Sequence, residues 1–167
     1  MDQDAAALAL LAVRTLAIRD LRLATSESLT GGGLGAAITS VPGSSAVYLG
    51  GVIAYATPMK RVLSGVPAEV LAMVGPISGL TAAEMAFGVQ RLTGADWAIA
   101  TTGVAGPEPQ GKHPVGEVWI CVVGPRVGTV EPAVQAVRLD LVGDREQIRR
   151  DTVTAALRVL VTMLSPV

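Results

Sequence analysis

The sequence predicts a single α/β domain, a three-layer α/β/α sandwich around a mixed, mainly parallel sheet. Segments with strand and helix patterns alternate along all 167 residues, without a linker, a repeat or a low-complexity block, and such alternation favours helices on both faces of a sheet. Half of the residues are apolar but only 3% are aromatic, so alanine, valine and leucine must form a closely packed core. Several predicted strands are nearly continuous apolar runs, which is typical of strands covered on both faces.

The first elements are predicted from the spacing of apolar residues and from residues that begin or end helices. Apolar residues recur at helical spacing over residues 4–19, and residues 21–26 have the pattern of a short strand. A run of three glycines after Thr30 opens a second helix, which ends near Ser40 before a Pro-Gly pair. Residues 47–56 are rich in apolar and β-branched residues and are predicted to form a strand.

The remaining elements follow from the same signals. A proline in the first turn favours a short helix from Thr57. Either Ser78 or a capping box formed by Thr81 and Glu84 can begin the next helix. The later elements are a helix over residues 78–92, strands over residues 97–101 and 115–123, a more alternating strand over residues 134–141, and a last helix from about residue 144.

Charge and rare residues exclude several kinds of function. The 13 basic and 14 acidic residues give a net charge of −1, which argues against a nucleic-acid-binding face driven by charge. One cysteine, Cys121, and one histidine, His113, exclude an internal disulfide and a multi-histidine metal site. The longest apolar stretch near the start, residues 5–13, is far shorter than the roughly 20 residues of a membrane span. We therefore expect a cytoplasmic protein without a membrane or nucleic-acid partner, and the high apolar content indicates a homo-oligomer.

Two turns of small residues follow predicted strands. In residues 28–33, backbone N–H groups at a helix start are of the kind that cradles a phosphate. Residues 101–107, which include Thr102 and Gly103, form the second turn. Ligands of open α/β sheets bind at the carboxyl ends of strands, so the two turns predict one crevice. Each turn can equally be a tight connection without a ligand.

Lys60 is the most informative single residue. Eleven of the 13 basic residues are arginine, and only Lys60 and Lys112 are lysine. Lysine, unlike arginine, can lose its proton when its environment lowers its pKa. Together with Tyr55 and the pair Ser44 and Ser45, Lys60 could form a Ser-Lys hydrolytic site. By composition alone, an exposed lysine at a helix start and serines in a turn are the more frequent case.

Other polar residues have more than one interpretation. Glu27, beside Ser28, could orient a hydroxyl or bind a ribose, whereas Glu84 and Glu117 are expected to face solvent. Arg145, at the start of the last helix, either points into the crevice as an anion ligand or pairs with a neighbouring carboxylate. Loop or packing positions are assigned to His113, Trp97, Trp119 and Cys121.

Six motifs, in order over residues 5–163, resemble the family of CinA C-terminal domains. They are Glu27-Ser28-Leu29-Thr30-Gly31-Gly32, Pro42-Gly43-Ser44-Ser45, Tyr55 followed by Lys60, Thr102-Gly103-Val104-Ala105-Gly106-Pro107, Pro114-Val115-Gly116 and Gly143-Asp144-Arg145. The resemblance implies an α/β/α sandwich that hydrolyses nicotinamide mononucleotide to nicotinic acid mononucleotide and ammonia. Some members carry an additional N-terminal domain, for which this chain has no room, so the resemblance implies the stand-alone form.

The resemblance also implies roles for individual residues. Ser45 would attack the carboxamide carbon and neutral Lys60 would take its proton, with the pKa of Lys60 lowered by burial and by a nearby positive charge. Tyr55 would orient the serine, and Thr102 would help to stabilise the oxyanion. No metal or organic cofactor is required. The implied substrate-binding residues are Glu27, Ser28, Thr30, Gly31, Gly32, Gly103 and Arg145, with the phosphate on either the glycine-rich turn or the arginine.

Two other functions stay open at this point. One is a catalytically silent nucleotide-binding or assembly module of the same fold, although the presence of Ser45, Tyr55 and Lys60 together favours an enzyme. The other is a hydrolase of a different amide in which Ser28 is the nucleophile. Separate substitution of Ser28 and Ser45 discriminates between the two serines.

Overall fold

The computed structural model describes residues 3–125, 128 and 131–165. Within these residues the chain forms six α-helices, five strands and one short 3-10 turn at Ser44–Ala46. All the predicted helices and strands are present, and α4, whose apolar residues are all at least partly exposed, was not predicted. The elements are α1 (Gln3–Ile18), β1 (Leu23–Glu27), α2 (Gly33–Thr39), β2 (Tyr48–Ile53), α3 (Thr57–Ser64), α4 (Ala68–Val74), α5 (Gly79–Thr93), β3 (Trp97–Gly103), β4 (Glu117–Val123), β5 (Val134–Asp140) and α6 (Arg145–Leu164).

The five strands form one mixed sheet in the order β2-β1-β3-β4-β5. Strands β1, β2 and β3 are mutually parallel, β4 is antiparallel to both of its neighbours, and β5 therefore runs in the direction of β1. Glu27 at the end of β1 lies beside Ile53 of β2 and Thr101 of β3. The carboxyl ends of three parallel strands thus meet at one edge of the sheet.

Helices cover both faces of the sheet, which confirms the three-layer α/β/α sandwich. Helices α1, α2 and α6 pack together on one face, and α5 lies on the other with α3 and α4 against it. The first layer buries large aliphatic side chains such as Leu34 and Leu157. The core between α5 and the sheet consists mainly of alanine and valine side chains around Met85. Small side chains let α5 lie close to the sheet, as the low aromatic content predicted.

Two local predictions are resolved by side-chain contacts. Ser78 is the N-cap of α5, because its hydroxyl accepts a hydrogen bond from the Thr81 backbone N–H at 3.0 Å. Glu117 was expected to face solvent, which is wrong: its side chain is buried at the start of β4, between β3 and β5. Its carboxylate lies 3.1 Å from Nδ1 of His113 and accepts a 3.3 Å hydrogen bond from Nε1 of Trp119. His113 therefore serves the packing of its loop.

The described residues include neither a membrane-spanning helix nor a cluster of metal-binding side chains. None of the helices described is both long and apolar enough to cross a bilayer. Within the same residues, histidine, cysteine, aspartate and glutamate side chains form no cluster that could hold a metal ion. Cys121 is fully buried, and burial raises the pKa of its thiol to about 12.

Candidate active site

The turn from β1 into α2 is tight and depends on glycine. The carbonyl of Ser28 accepts a 3.1 Å hydrogen bond from the N–H of Gly31, which closes the turn. Gly31 and Gly32 have φ angles of 58° and 95°, in the left-handed region where a side chain is strained. The glycines therefore bring the end of β1 directly onto the first turn of α2.

Three backbone N–H groups at the start of α2 are occupied by Glu27. The carboxylate of Glu27 accepts hydrogen bonds from the N–H groups of Gly32, Leu34 and Gly35 at 2.9, 3.0 and 2.8 Å. It also accepts one from the hydroxyl of Thr30 at 2.7 Å, and its side chain is only 2% exposed. A carboxylate is stabilised at a helix N-terminus for the same reason that a phosphate is.

This arrangement corrects the predicted phosphate cradle. The sequence predicted free N–H groups around Thr30, Gly31 and Gly32, but the N–H of Gly31 donates to the carbonyl of Ser28 and the N–H of Gly32 donates to the carboxylate of Glu27. Glu27 is likewise not available to a ribose, because four donors of the protein surround it. The turn holds its shape through Glu27, and a substrate anion needs another partner.

Lys60 lies on α3 and is buried, with 2% of its surface exposed. Its Nζ donates to Oγ1 of Thr102 at 3.0 Å and lies 3.8 Å from Sδ of Met85. The Thr102 hydroxyl in turn donates to the carbonyl of Pro76 at 2.8 Å. Among the described residues no carboxylate forms an ion pair with Lys60. Burial lowers the pKa of Lys60 from 10.5 to about 8, so burial alone, rather than the charge of Arg145, explains the shift.

The position of Lys60 depends on close packing between α3 and α5. Gly88 of α5 lies so near to α3 that a Cβ atom there would be 1.5 Å from the carbonyl oxygen of Ser64. The hydroxyl of Ser64 bonds to the hydroxyl of Ser26 on β1 at 2.7 Å. Helix α3 is therefore fixed to both α5 and the sheet, and Lys60 is held beneath the carboxyl edge.

A cavity of about 170 Å³ lies at the carboxyl ends of β1 and β3. It joins the two turns that the sequence singled out, so the predicted crevice is present. After β1 the chain adds β2 on one side of it and then β3 on the other side. In open α/β sheets, ligands bind where the strand order reverses in this way. Its lining consists of Ser28, Leu29, Tyr55, Gly103, Val104, Ala105, Gly106, Glu108, Gln110 and Arg145.

Arg145 lies at the rim of this cavity. Its guanidinium donates to the hydroxyl of Tyr55 at 2.6 Å and to the carbonyl of Gly106 at 2.5 Å. Of the two predicted alternatives, the guanidinium thus points to the crevice, and no carboxylate among the described residues pairs with it. Tyr55 is 56% exposed and reaches Arg145 rather than a serine.

The two candidate serines lie at opposite edges of the sheet. Ser45 is exposed in the 3-10 turn before β2, at the edge where β1 begins. Lys60 follows the other end of β2, and six strand residues separate the two edges by roughly 20 Å. The structure therefore does not bring Ser45 and Lys60 together within the chain.

Ser28, in contrast, lies at the edge where Lys60 is held. Its backbone N–H continues the ladder to β3 by bonding to the carbonyl of Thr101 at 2.9 Å. Side chains alternate along a strand, so Ser28 shares the face of Ser26, which contacts α3. Ser28 is 7% exposed and lines the cavity. Within the described residues its hydroxyl makes no hydrogen bond, so the hydroxyl is available to a substrate.

Sequence reasoning missed the contacts that come from distant parts of the chain. Pro76 and Met85, which complete the surroundings of Lys60, carry no chemical signal of their own. Arg149 donates to the carbonyls of Leu29 and Thr30 across about 120 positions of sequence. The adjacent Arg149 and Arg150 of α6 look alike in the sequence, which does not indicate which of them turns towards the β1–α2 turn.

The fold and the site define a class: an α/β sandwich with a small cavity at the carboxyl edge and a buried lysine beside it. Residues 5–164 match the CinA C-terminal domain family. The chain belongs to this family, as the six sequence motifs indicated.

Relatives and solved structures agree with this assignment. A CinA-like protein of Frankia casuarinae is 46% identical over 147 residues, which are 88% of this chain and 33% of that protein. The chain spans about a third of the length of the curated relatives it matches. The competence/damage inducible protein CihA of Agrobacterium tumefaciens has a TM-score of 0.92 at 32% identity, with 99% of this chain and 98% of that chain covered. A CinA superfamily protein of Klebsiella pneumoniae has a TM-score of 0.90 at 34% identity, with 97% and 98% covered.

Proposed function

We propose that the chain is an amidohydrolase that converts nicotinamide mononucleotide to nicotinic acid mononucleotide and ammonia. The observation that carries the proposal is Lys60, a buried amine without a carboxylate partner among the described residues and with a pKa of about 8. A lysine in this state can accept a proton near neutral pH, as a Ser-Lys mechanism requires. The substrate is proposed from the resemblance to the CinA C-terminal domains and from the cavity at the carboxyl edge.

The proposed nucleophile is Ser28 rather than Ser45, because Ser28 lines the cavity on the face of β1 that is directed towards Lys60. The Ser28 oxygen bonds to the carboxamide carbon while its proton passes to Nζ of Lys60. The C–N bond then breaks, and the lysine returns the proton to the leaving nitrogen, so that ammonia departs. Water next attacks the acyl-enzyme and gives a proton to Lys60, and the ester bond breaks to release the carboxylic acid and restore the serine hydroxyl.

Thr102 orients the base in this mechanism instead of stabilising the oxyanion. Its hydroxyl proton is committed to the carbonyl of Pro76, so towards Lys60 it can only accept. One N–H of the amine is fixed in this way. The lone pair of the neutral amine is then free to point towards another group, for which we propose Ser28.

Arg145 is the proposed ligand of the 5′-phosphate. The glycine-rich turn is filled by Glu27, which leaves Arg145 as the cation that lines the cavity. Its planar guanidinium suits a phosphate. Tyr55 holds Arg145 at the rim and acts as its support.

We also propose a cytoplasmic homo-oligomer, as the composition predicts. Support comes from the outer strand β2, where Leu49 and Ile53 are 48% and 52% exposed. Sedimentation velocity of the purified chain tests the oligomer.

The function is tested by ammonia release from nicotinamide mononucleotide. The wild-type chain and Ser45→Ala are expected to release ammonia at similar rates, whereas Ser28→Ala and Lys60→Met are expected to be inactive. Release by Ser28→Ala but not by Ser45→Ala would overturn the proposed nucleophile. No release by the wild type, with the nucleotide still bound, would favour the silent module.

A further inference from the structure

Arg149 reaches from α6 into the turn that follows Ser28. Its Nε donates to the carbonyl of Leu29 at 3.0 Å, and one terminal nitrogen donates to the carbonyl of Thr30 at 2.9 Å. The contact is close, since a Cβ atom at Gly31 would lie 3.3 Å from the same nitrogen. Two consecutive peptide groups are thus fixed by one rigid guanidinium.

The direction of these carbonyls decides where the adjacent N–H groups point. In a trans peptide the C=O and the N–H lie on opposite sides of the bond. Because the Leu29 carbonyl is directed to Arg149, the N–H of Thr30 is directed to the other side of the turn. Thr30 and Arg149 line a second cavity of about 250 Å³ between α2 and α6, whereas Ser28 and Leu29 line the cavity at the carboxyl edge.

Two N–H groups in this turn have no acceptor. Within the described residues, the N–H groups of Leu29 and Thr30 donate to no partner, although these residues are only 4% and 1% exposed. Buried N–H groups without a partner are rare. Fixed, unpaired donors beside a nucleophile are the arrangement that stabilises the oxyanion of acyl transfer.

We infer that Arg149 is a positioning residue, which holds the peptide between Leu29 and Thr30 so that the N–H of Thr30 receives the oxyanion formed at Ser28. The inference rests on the proposed function and deepens it. Arg149 touches neither the substrate nor the serine hydroxyl and acts only through the turn.

Arg149→Met tests the inference, and Arg150→Met is its matched control. Arg150 is the next residue of α6 and is exposed, and its guanidinium contacts the side chains of Glu146 and Gln147 on the same helix. Removal of a whole oxyanion donor lowers kcat by about 100- to 1000-fold. Loosening this donor should therefore lower kcat of Arg149→Met by at least about tenfold, with KM near that of the wild type. Arg150→Met should retain the wild-type kcat.

Two further variants separate positioning from folding. Arg149→Lys keeps the charge and one donor, and is expected to lie between the wild type and Arg149→Met. Arg149→Ala should regain activity when guanidinium is added, whereas Arg150→Ala should not respond. Equal kcat values for Arg149→Met and Arg150→Met, or a rise in KM with kcat unchanged, would overturn the inference.

A second readout does not depend on the nucleotide. A fluorophosphonate forms a P–O bond to an activated serine with loss of fluoride, and its adduct needs the same oxyanion donors. Labelling of Ser28, followed by peptide mass spectrometry, should be slow in Arg149→Met and at the wild-type rate in Arg150→Met. If the wild type is labelled but releases no ammonia, the proposed substrate fails, and slow labelling of Arg149→Met alone would still support the role of Arg149. Equal labelling of both variants would overturn the role of Arg149.

Discussion

Nζ of Lys60 lies 3.0 Å from Oγ1 of Thr102, and the proton of that hydroxyl is committed to the carbonyl of Pro76. The threonine can therefore accept from the lysine but cannot donate to it. An accepting hydroxyl favours the charged amine much less than a carboxylate would, so burial decides the protonation state. Burial lowers the pKa of Lys60 to about 8, so both the activity and the stability of the chain should depend on pH.

The activity should rise with pH as Lys60 loses its proton. For the proposed mechanism, kcat/KM increases with pH and reaches half of its plateau at about pH 8, because the free enzyme needs the neutral amine. Steady-state ammonia release between pH 6 and 10 measures the profile. A profile that is flat across this range would contradict the assignment of Lys60 as the base.

Lys60 should also make the stability depend on pH. Its pKa is lower in the folded chain than in the unfolded chain, so the unfolded state binds more protons between about pH 8 and 10.5, and stability gains with rising pH. Below pH 8 the buried charge costs about 3 kcal/mol relative to high pH. Lys60→Met should therefore be more stable than the wild type near pH 7, by an amount that shrinks towards pH 10.5.

Urea unfolding of both proteins at several pH values measures this difference. Cys121 acts in the opposite direction, since its raised pKa of about 12 costs stability as the pH rises above 9. The thiol is present in both proteins, so its contribution cancels in the comparison. An equal free energy of unfolding for the two proteins at pH 7 would show that the charge of Lys60 is not buried.

Glu27→Gln should destabilise the chain. The amide would place two donors against the N–H groups of Gly32, Leu34 and Gly35, which now share a carboxylate. Leaving buried donors without an acceptor costs about 1–3 kcal/mol. Urea unfolding should show this loss, whereas Glu69→Gln, at an exposed position of α4, should leave stability unchanged. Wild-type stability of Glu27→Gln would mean that the turn does not depend on the carboxylate.

Arg145→Met should act on the phosphate of the substrate. We expect KM for nicotinamide mononucleotide to rise by at least about tenfold, the loss of one charge-assisted contact of 1.5–3 kcal/mol. Hydrolysis of nicotinamide riboside, which lacks the phosphate, should change little. The same loss with both substrates would assign Arg145 to another role.

Much of the fold could be predicted, because alternating apolar segments with capping residues and glycine turns decide local structure. Helix α4 was missed since its apolar residues are at least partly exposed and leave no periodic pattern. Glu117 was misplaced because a strand between two others buries even its first residue. The two small-residue turns and Lys60 indicated the edge of the sheet at which the cavity lies.

The finer geometry depends on contacts that spacing does not reveal. Ser45 and Lys60 are 15 positions apart, yet β2 lies between them and carries them to opposite edges. Glu27 looked like a substrate ligand because nothing local shows that its carboxylate turns back onto α2. The contacts of Arg145 with Gly106 and Tyr55 join positions 39 and 90 residues away, which only the folded sheet brings together.

The central claim, that Ser28 attacks the carboxamide with help from Lys60, is tested most directly by trapping the acyl-enzyme. The wild-type chain is mixed with nicotinamide mononucleotide, quenched in acid within the first turnover and digested for peptide mass spectrometry. The account predicts an adduct on the peptide that contains Ser28, carrying the mass of the nucleotide less ammonia, and no adduct in Lys60→Met. An adduct at Ser45, or ammonia release by Ser28→Ala at the wild-type rate, would contradict it.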